Sequence, residues 1–202
     1  MQRDISKIVR DLEDKHNNDI IYKKYKLEEM FKEDPDIIEV LGTKQKKPLN
    51  KYVDPDNPTE EELEKRRQIE DYNEKITHKQ IVPWLKLNNM QTEVLNFIMF
   101  DIRDSSVSYV NKVIKNQEIV VMCCVHEDDM DTPYRIPRTD LLSYLIRDIL
   151  CWTNSLGMQL KLTNDYPDIV DGKFYCRTLK FAVEAPNIVN GHGGMNNRYD
   201  VF

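Results

Sequence analysis

The sequence predicts an α+β protein, with a charged helical N-terminal extension followed by a mostly antiparallel β-β-α-β-β sheet covered by one helix. Three observations carry this. Residues 1–80 hold 17 Lys+Arg and 20 Asp+Glu, whereas residues 81–202 hold only 12 and 15. Two apolar, strand-like runs precede one strongly amphipathic helix, and two more follow it. The regular βα alternation of a doubly wound fold is missing.

Taken in order, Ile5, Ile8, Val9 and Leu12 fall at i, i+3, i+4 and i+7, one stripe of a helix over residues 2–15. A second helix is expected over 19–32, with Ile20, Tyr22, Tyr25, Leu27, Met30 and Phe31 as its apolar members. Asp34-Pro35 should stop it, because proline disfavours helix in the residue before it. These helices make up an N-terminal segment, 1–41. Residues 42–58, GTKQKKPLNKYVDPDNP, are proline-rich and poor in apolar side chains, and read as a linker.

Thr59 and Glu62, three apart, form a capping-box pattern that opens a solvated helix over 59–76, and the segment 59–94 holds this helix and a connection. The core domain is expected over 95–185. NFIMFDIR (96–103) and QEIVVMCCV (117–125) read as strands, the second so continuously apolar that it should be central. RTDLLSYLIRDILCW places Leu141, Leu142, Leu145, Ile146, Ile149 and Leu150 on one helical face, with Thr139 or Asp140 as cap. MQLKL (158–162) alternates as a strand, NDYPDIVDGK reads as a turn region, and FYCRTLKFAV (174–183) alternates again. Residues 186–202 read as a flexible C-terminal tail.

The 202 residues carry 40% hydrophobic side chains and a formal net charge of −6. That is enough apolar material for a core, and an acidic balance that disfavours a dominant grip on phosphates. No apolar run approaches the roughly 20 residues of a spanning helix, and the N-terminus lacks a signal-peptide apolar region, so no membrane association is expected. Cys123, Cys124, Cys151 and Cys176 include no CxxC and read as reduced, mostly buried small hydrophobes.

Several clusters invite a chemical reading. His126, Glu127, Asp128, Asp129 and Asp131 place oxygen and imidazole ligands at a strand end. Metal sites usually draw ligands from separated segments, so the cluster reads more simply as an acidic loop. A nuclease reading would use Asp128, Asp131, Asp168 and Asp171, with Lys173 beside the attacking water. An Asp171-Gly172 hairpin turn accounts for the last of these without chemistry. No nucleophile elbow or phosphate loop is present in the sequence. Catalytic, metal and cofactor-binding residues are therefore expected to be none. Lys44, Lys46, Lys47 and Lys51, with Lys65, Arg66 and Arg67, offer phosphate contact or simply a solvated linker and a salt-bridged helix. Trp84 and Trp152 sit at element boundaries as packing anchors. Tyr134, Arg135 and Arg138 lie in the loop entering the strongest helix, where they either face a partner or pair with Asp128, Asp129 and Asp131 of the same loop; with Trp152 they are the candidate interface residues.

The succession VVMCCVHEDD, a Thr-Pro-Tyr-Arg loop, RTDLLSYLIRDILCW, a turn with Gly157, LKLTND and FYCRTLKFAVEAPN resembles neck and tail-completion proteins of tailed bacteriophages, tail-terminator-like or head–tail connector-like. The resemblance spans roughly residues 95–190 and rests on element order. Terminator-like proteins are usually shorter, and the charged extension of about 90 residues is not part of the pattern. The resemblance implies a structural, non-catalytic virion protein of the neck, assembled in the host cytoplasm. It also implies a homo-oligomeric ring, contact with portal, connector or tail-tube proteins, and DNA passing through the lumen without sequence-specific binding. An edge strand such as FYCRTLKFAV would continue its sheet into the next subunit. A metal-dependent nuclease or other phage DNA-processing enzyme, and a small adaptor binding a partner through its helices, are the alternatives.

Overall fold

In the computed structural model of the chain, the described residues are 20–42, 59–85, 95–107, 114–152, 156, 159–170 and 172–186. The expected helix at 2–15, the linker at 43–58 and the tail from 187 lie outside them. The fold is α+β: four helices and a five-stranded mixed sheet among the described residues.

Helix α1 (Ile20–Glu33) is followed after a single residue by α2 (Pro35–Leu41). Asp34-Pro35 ends one helix as expected, but it also starts another. The Asp34 carboxylate accepts the Ile37 N–H at 2.8 Å, and Pro35 occupies the first helical position, where no N–H is needed. Helix α3 (Glu60–Gln80) opens on the capping box: Thr59 Oγ1 accepts from Glu62 N–H, and the Glu62 carboxylate accepts from Thr59 N–H at 2.8 Å. It runs to Gln80 and passes directly into β1 (Ile81–Val82). Then come β2 (Phe97–Val107), β3 (Ile114–His126), a 3-10 turn at Glu127–Asp129, α4 (Arg138–Trp152), β4 (Lys161–Val170) and β5 (Phe174–Pro186).

The sheet order is β1-β2-β3-β5-β4, with β1 parallel to β2 and all other neighbours antiparallel. The apolar run of β3 does occupy the centre. Two expectations change. FYCRTLKFAV lies in β5, between β3 and β4, so it is not an edge. NDYPDIV, expected as a turn, belongs to β4, which begins at Lys161 and is an edge strand. Pro167 is tolerated there because an edge strand turns alternate N–H groups to solvent, where none is needed.

The larger core lies on one face of the sheet, where Ile98, Phe100, Ile119, Val121, Leu179 and Phe181 meet three helices rather than one. Helix α4 contributes Leu142, Ile146 and Leu150; α1 contributes Leu27 and Phe31, and α2 Ile37 and Leu41, all fully buried. Phe31 packs edge-on against Phe100 at 5.6 Å. The helices at 20–41 are thus part of the core and not an appended arm. A smaller cluster on the opposite face joins Ile76 of α3 to Val82, Phe97, Met99, Cys124, Phe174 and Cys176.

The cysteines depart from the reduced state expected of them. Cys124 and Cys176 stand directly opposite each other on β3 and β5, with Cα atoms 4.1 Å apart, and form a disulfide. Their separation of 52 residues hides a contact that only the register creates. Cys123 points to the other face and stays free; burial pushes its thiol up to about 12.

Candidate functional site

Three of the candidate interface residues, Tyr134, Arg135 and Arg138, lie where β3 leaves the sheet. The exit is fixed first by main chain, Glu127 N–H donating to Lys173 O at 2.8 Å, which ties it to the β4–β5 hairpin. Behind it lies a buried polar cluster. Asn96 Nδ2 donates to Leu41 O (2.9 Å) and to Asp129 Oδ2 (2.7 Å), and Asn96 Oδ1 accepts the His126 N–H. Gln80 Nε2 donates to Gly42 O (3.0 Å) and to Asn96 O (3.1 Å). Arg138 Nη1 donates to Val40 O, Nε to Asp129 O at 2.8 Å, and Nη2 to Asp129 Oδ1 at 3.3 Å.

These bonds answer a definite need. The last carbonyls of a helix have no partner within it, and here those of Val40, Leu41 and Gly42 at the end of α2 are taken up by side chains from three separate elements. Gln80 Oε1 is buried without a hydrogen-bond partner among the described residues. Gly42 itself sits at φ 35, which strains any residue with a Cβ, and a Cβ there would also lie 2.9 Å from Arg138 Nη1 and displace the guanidinium.

On this base stands the turn 130–137. Arg135 N–H donates to Thr132 O at 3.2 Å, Thr132 Oγ1 donates to Ile136 O at 2.6 Å, and Arg138 N–H donates to Met130 O at 2.9 Å. Pro133 and Pro137 bracket the tip. Arg135 adopts φ 58, a left-handed conformation that costs a residue with a Cβ about 1–2 kcal/mol. Tyr134 is 59% exposed and donates its hydroxyl to Glu39 at 3.1 Å; that bond to the carboxylate pushes the phenol above its ordinary value.

The sequence-predicted residues therefore separate. Tyr134 and Arg135 are outward, whereas Arg138 is turned inward as the fastener of α2. Trp152 ends α4, and its side chain lies outside the description. Of the nuclease candidates, Asp128 sits beside His126, whose Nδ1 accepts the Asp128 N–H at 3.3 Å, and Asp131 lends its main-chain carbonyl to Arg138. Asp168 is on β4, where its carboxylate accepts the Ile169 N–H at 2.8 Å. Asp171 lies outside the described residues. Among the described residues no group of three His, Cys, Asp or Glu side chains is arranged to hold a metal ion. Arg66 pairs with Glu70 at 2.7 Å and Arg67 with Glu64 at 4.0 Å, as a salt-bridged helix would. The linker lysines are not described.

Sequence reasoning missed two further features. Arg177 of β5 bonds Asp165 of β4 at 2.6 Å and Asp140 of α4 at 2.5 Å, clamping the helix to the sheet edge; these bonds raise its already high pKa. The other is an apolar groove of about 410 Å³ between α1 and β1, lined by Ile21, Lys24, Tyr25 and Glu28 on one side and by Ile81, Val82, Pro83 and Trp84 on the other. Trp84 directly after a proline was the available signal for it.

The geometry defines a small α+β body whose polar side chains hold its helices to its sheet and present a fixed turn. A family model, YomW, matches residues 34–183, about three quarters of the chain. The chain belongs to the YomW family, which is phage-derived, of the Bacillus phage SPbeta-like kind. No curated protein matches it. Among the described residues, no helix is long and apolar enough to cross a membrane.

Proposed function

We propose that this chain is a structural virion protein of the phage neck, joining copies of itself into a ring between the head connector and the tail and acting without catalysis. The observation that carries the reading is the use made of polar residues at the sheet end. Gln80, Asn96, Asp129 and Arg138 bond to one another and to the carbonyls of α2, and the turn they support holds Tyr134 and Arg135 outward. Connected polar networks restrict a shape, and this one leaves only Gln80 Oε1 without a partner among the described residues; tyrosine and arginine are side chains enriched at protein interfaces. The phage-derived family is consistent with this reading. In this reading the partners are portal, connector or tail-tube proteins, DNA passes through the lumen without specific binding, and the chain is assembled in the host cytoplasm.

The test is to purify particles of a phage that encodes the chain, look for it by mass spectrometry, and locate a tagged copy by electron microscopy. Several copies at the head–tail junction are expected. Absence from purified particles overturns the reading. Cleavage of DNA with Mg²⁺ or Mn²⁺ that is lost in Asp168→Ala would put the nuclease in its place.

A further inference from the structure

We infer that copies of this chain join head to tail, the Tyr134–Arg135–Ile136 tip of one copy seated in the groove beside Trp84 of the next. The inference rests on the assembly reading above and names the surfaces that assembly would use.

The tip is a preformed protrusion. Tyr134 and Ile136 are exposed, the Arg135 side chain meets no partner among the described residues, and the turn is closed by its own hydrogen bonds and two prolines. A tip already held in one conformation loses little entropy on binding. Arg135 holds a left-handed φ that only glycine would adopt without strain, and the exposed side chain is what the turn presents.

The groove is complementary in shape and in its aromatic lining. It is concave and mostly apolar, and Ile21, Tyr25 and Trp84 remain about half exposed along it. The indole and phenol faces suit a guanidinium; on the same wall the Glu28 carboxylate, already paired with Lys32 at 2.6 Å, can take a second cation, and Lys24 is turned to Asp101 at 2.5 Å. At net charge −6 two copies repel overall, so a contact between them needs local apolar burial and a cation set against an anion and aromatic rings. None of the tip residues lines the groove of its own chain, and Tyr134 and Arg138 tie the turn to α2. Protrusion and groove are different patches, so the contact is heterologous: it closes into a ring or extends as a filament according to the rotation between copies.

Sedimentation of the full chain over a concentration series tests this with two variants, Arg135→Glu in the tip and Trp84→Glu in the groove, each checked for an unchanged thermal melt. Tyr25→Glu serves as a second groove variant should Trp84→Glu melt early. The wild type should grow in mass with concentration, and each variant should associate about tenfold or more weakly. An equimolar mixture of tip and groove variants should stop at a dimer, because each pair leaves one broken tip and one broken groove outermost. Variants that associate like the wild type, a mixture that fails to pair, or a wild type monomeric at every soluble concentration would each overturn the inference. The neck reading falls separately, on the absence of the chain from purified particles.

Discussion

Asp168 accepts the main-chain N–H of Ile169, its successor in the outermost strand, at 2.8 Å. The same pairing occurs on β2 beyond the reach of the two-residue β1, where Asp101 accepts the N–H of Ile102 at 2.9 Å and is itself held by Lys24 at 2.5 Å. A donor left open at a sheet edge is a template for another strand, and each aspartate closes one. On β4, Pro167 removes a second donor two residues before Ile169 on the same side of the strand. Both edges are therefore guarded against strand pairing at these positions.

Removing the guard should show as indiscriminate association. Asp168→Ala frees the Ile169 N–H beside a 61% exposed isoleucine side chain, and Pro167→Thr with Asp168→Ala restores a continuous edge. Light scattering on gentle heating should rise earlier for the single variant and earlier still for the double, while the unfolding midpoint barely moves. Equal scattering by all three proteins would show that the edge needs no guard.

Arg138 is expected to matter for stability more than for contact. Arg138→Ala strips Val40 O of its donor and leaves the half-buried Asp129 carboxylate short of its cation. Losing a bonded partner from such a pair costs roughly 2–4 kcal/mol. Urea unfolding should show that loss, and amide exchange at residues 37–42 should quicken more than in β3. A loss well below 1 kcal/mol would mean that Asn96 and Gln80 hold α2 without it.

How far this architecture could be read in advance depended on whether the signal was local. The α4 stripe, the Thr59–Glu62 box and the apolar run of β3 are patterns within one element, and each led to the right element. The Cys124–Cys176 pair and the bonds of Asn96 and Gln80 depend on register between segments far apart in sequence, which no periodicity carries. The helices at 20–41 were masked by their charge, although Leu27, Phe31, Ile37 and Leu41 are buried completely. At the turn, composition pointed to Tyr134 and the two arginines, either outward or paired with the aspartates of the same loop; Arg138 takes the second course with Asp129, and which arginine does so is set by the distant end of α2.

The disulfide makes stability sensitive to reductant. Closing a loop of about 50 residues is worth roughly 4 kcal/mol in the chain-entropy account. Reduction, or Cys176→Ser, should lower the urea midpoint with a loss of that order at most, and alkylation of the unfolded, unreduced chain should label two of its four cysteines. Labelling of all four would show that the pair is not joined.

Lys23 supplies the last test. Its side chain is buried between α1 and the sheet, with Nζ donating to Gln117 Oε1 at 2.5 Å, and Gln117 in turn donates to Asp104 Oδ1 at 2.9 Å. Burial first, then the Lys115 charge, lowers its pKa from 10.5 to about 8, against the opposing pull of Asp104. The unfolded chain therefore binds the proton more tightly than the folded one. The penalty for burying the ammonium is in full force below pH 8 and fades as pH rises toward 10.5, so stability is gained with pH across that window. Lys23→Met has no such titration. Urea unfolding of both proteins should show the wild type gaining roughly 2 kcal/mol on the variant between pH 7 and pH 9.5. A difference that stays flat over that range would mean that the amine is solvated, and that α1 does not press it against Gln117.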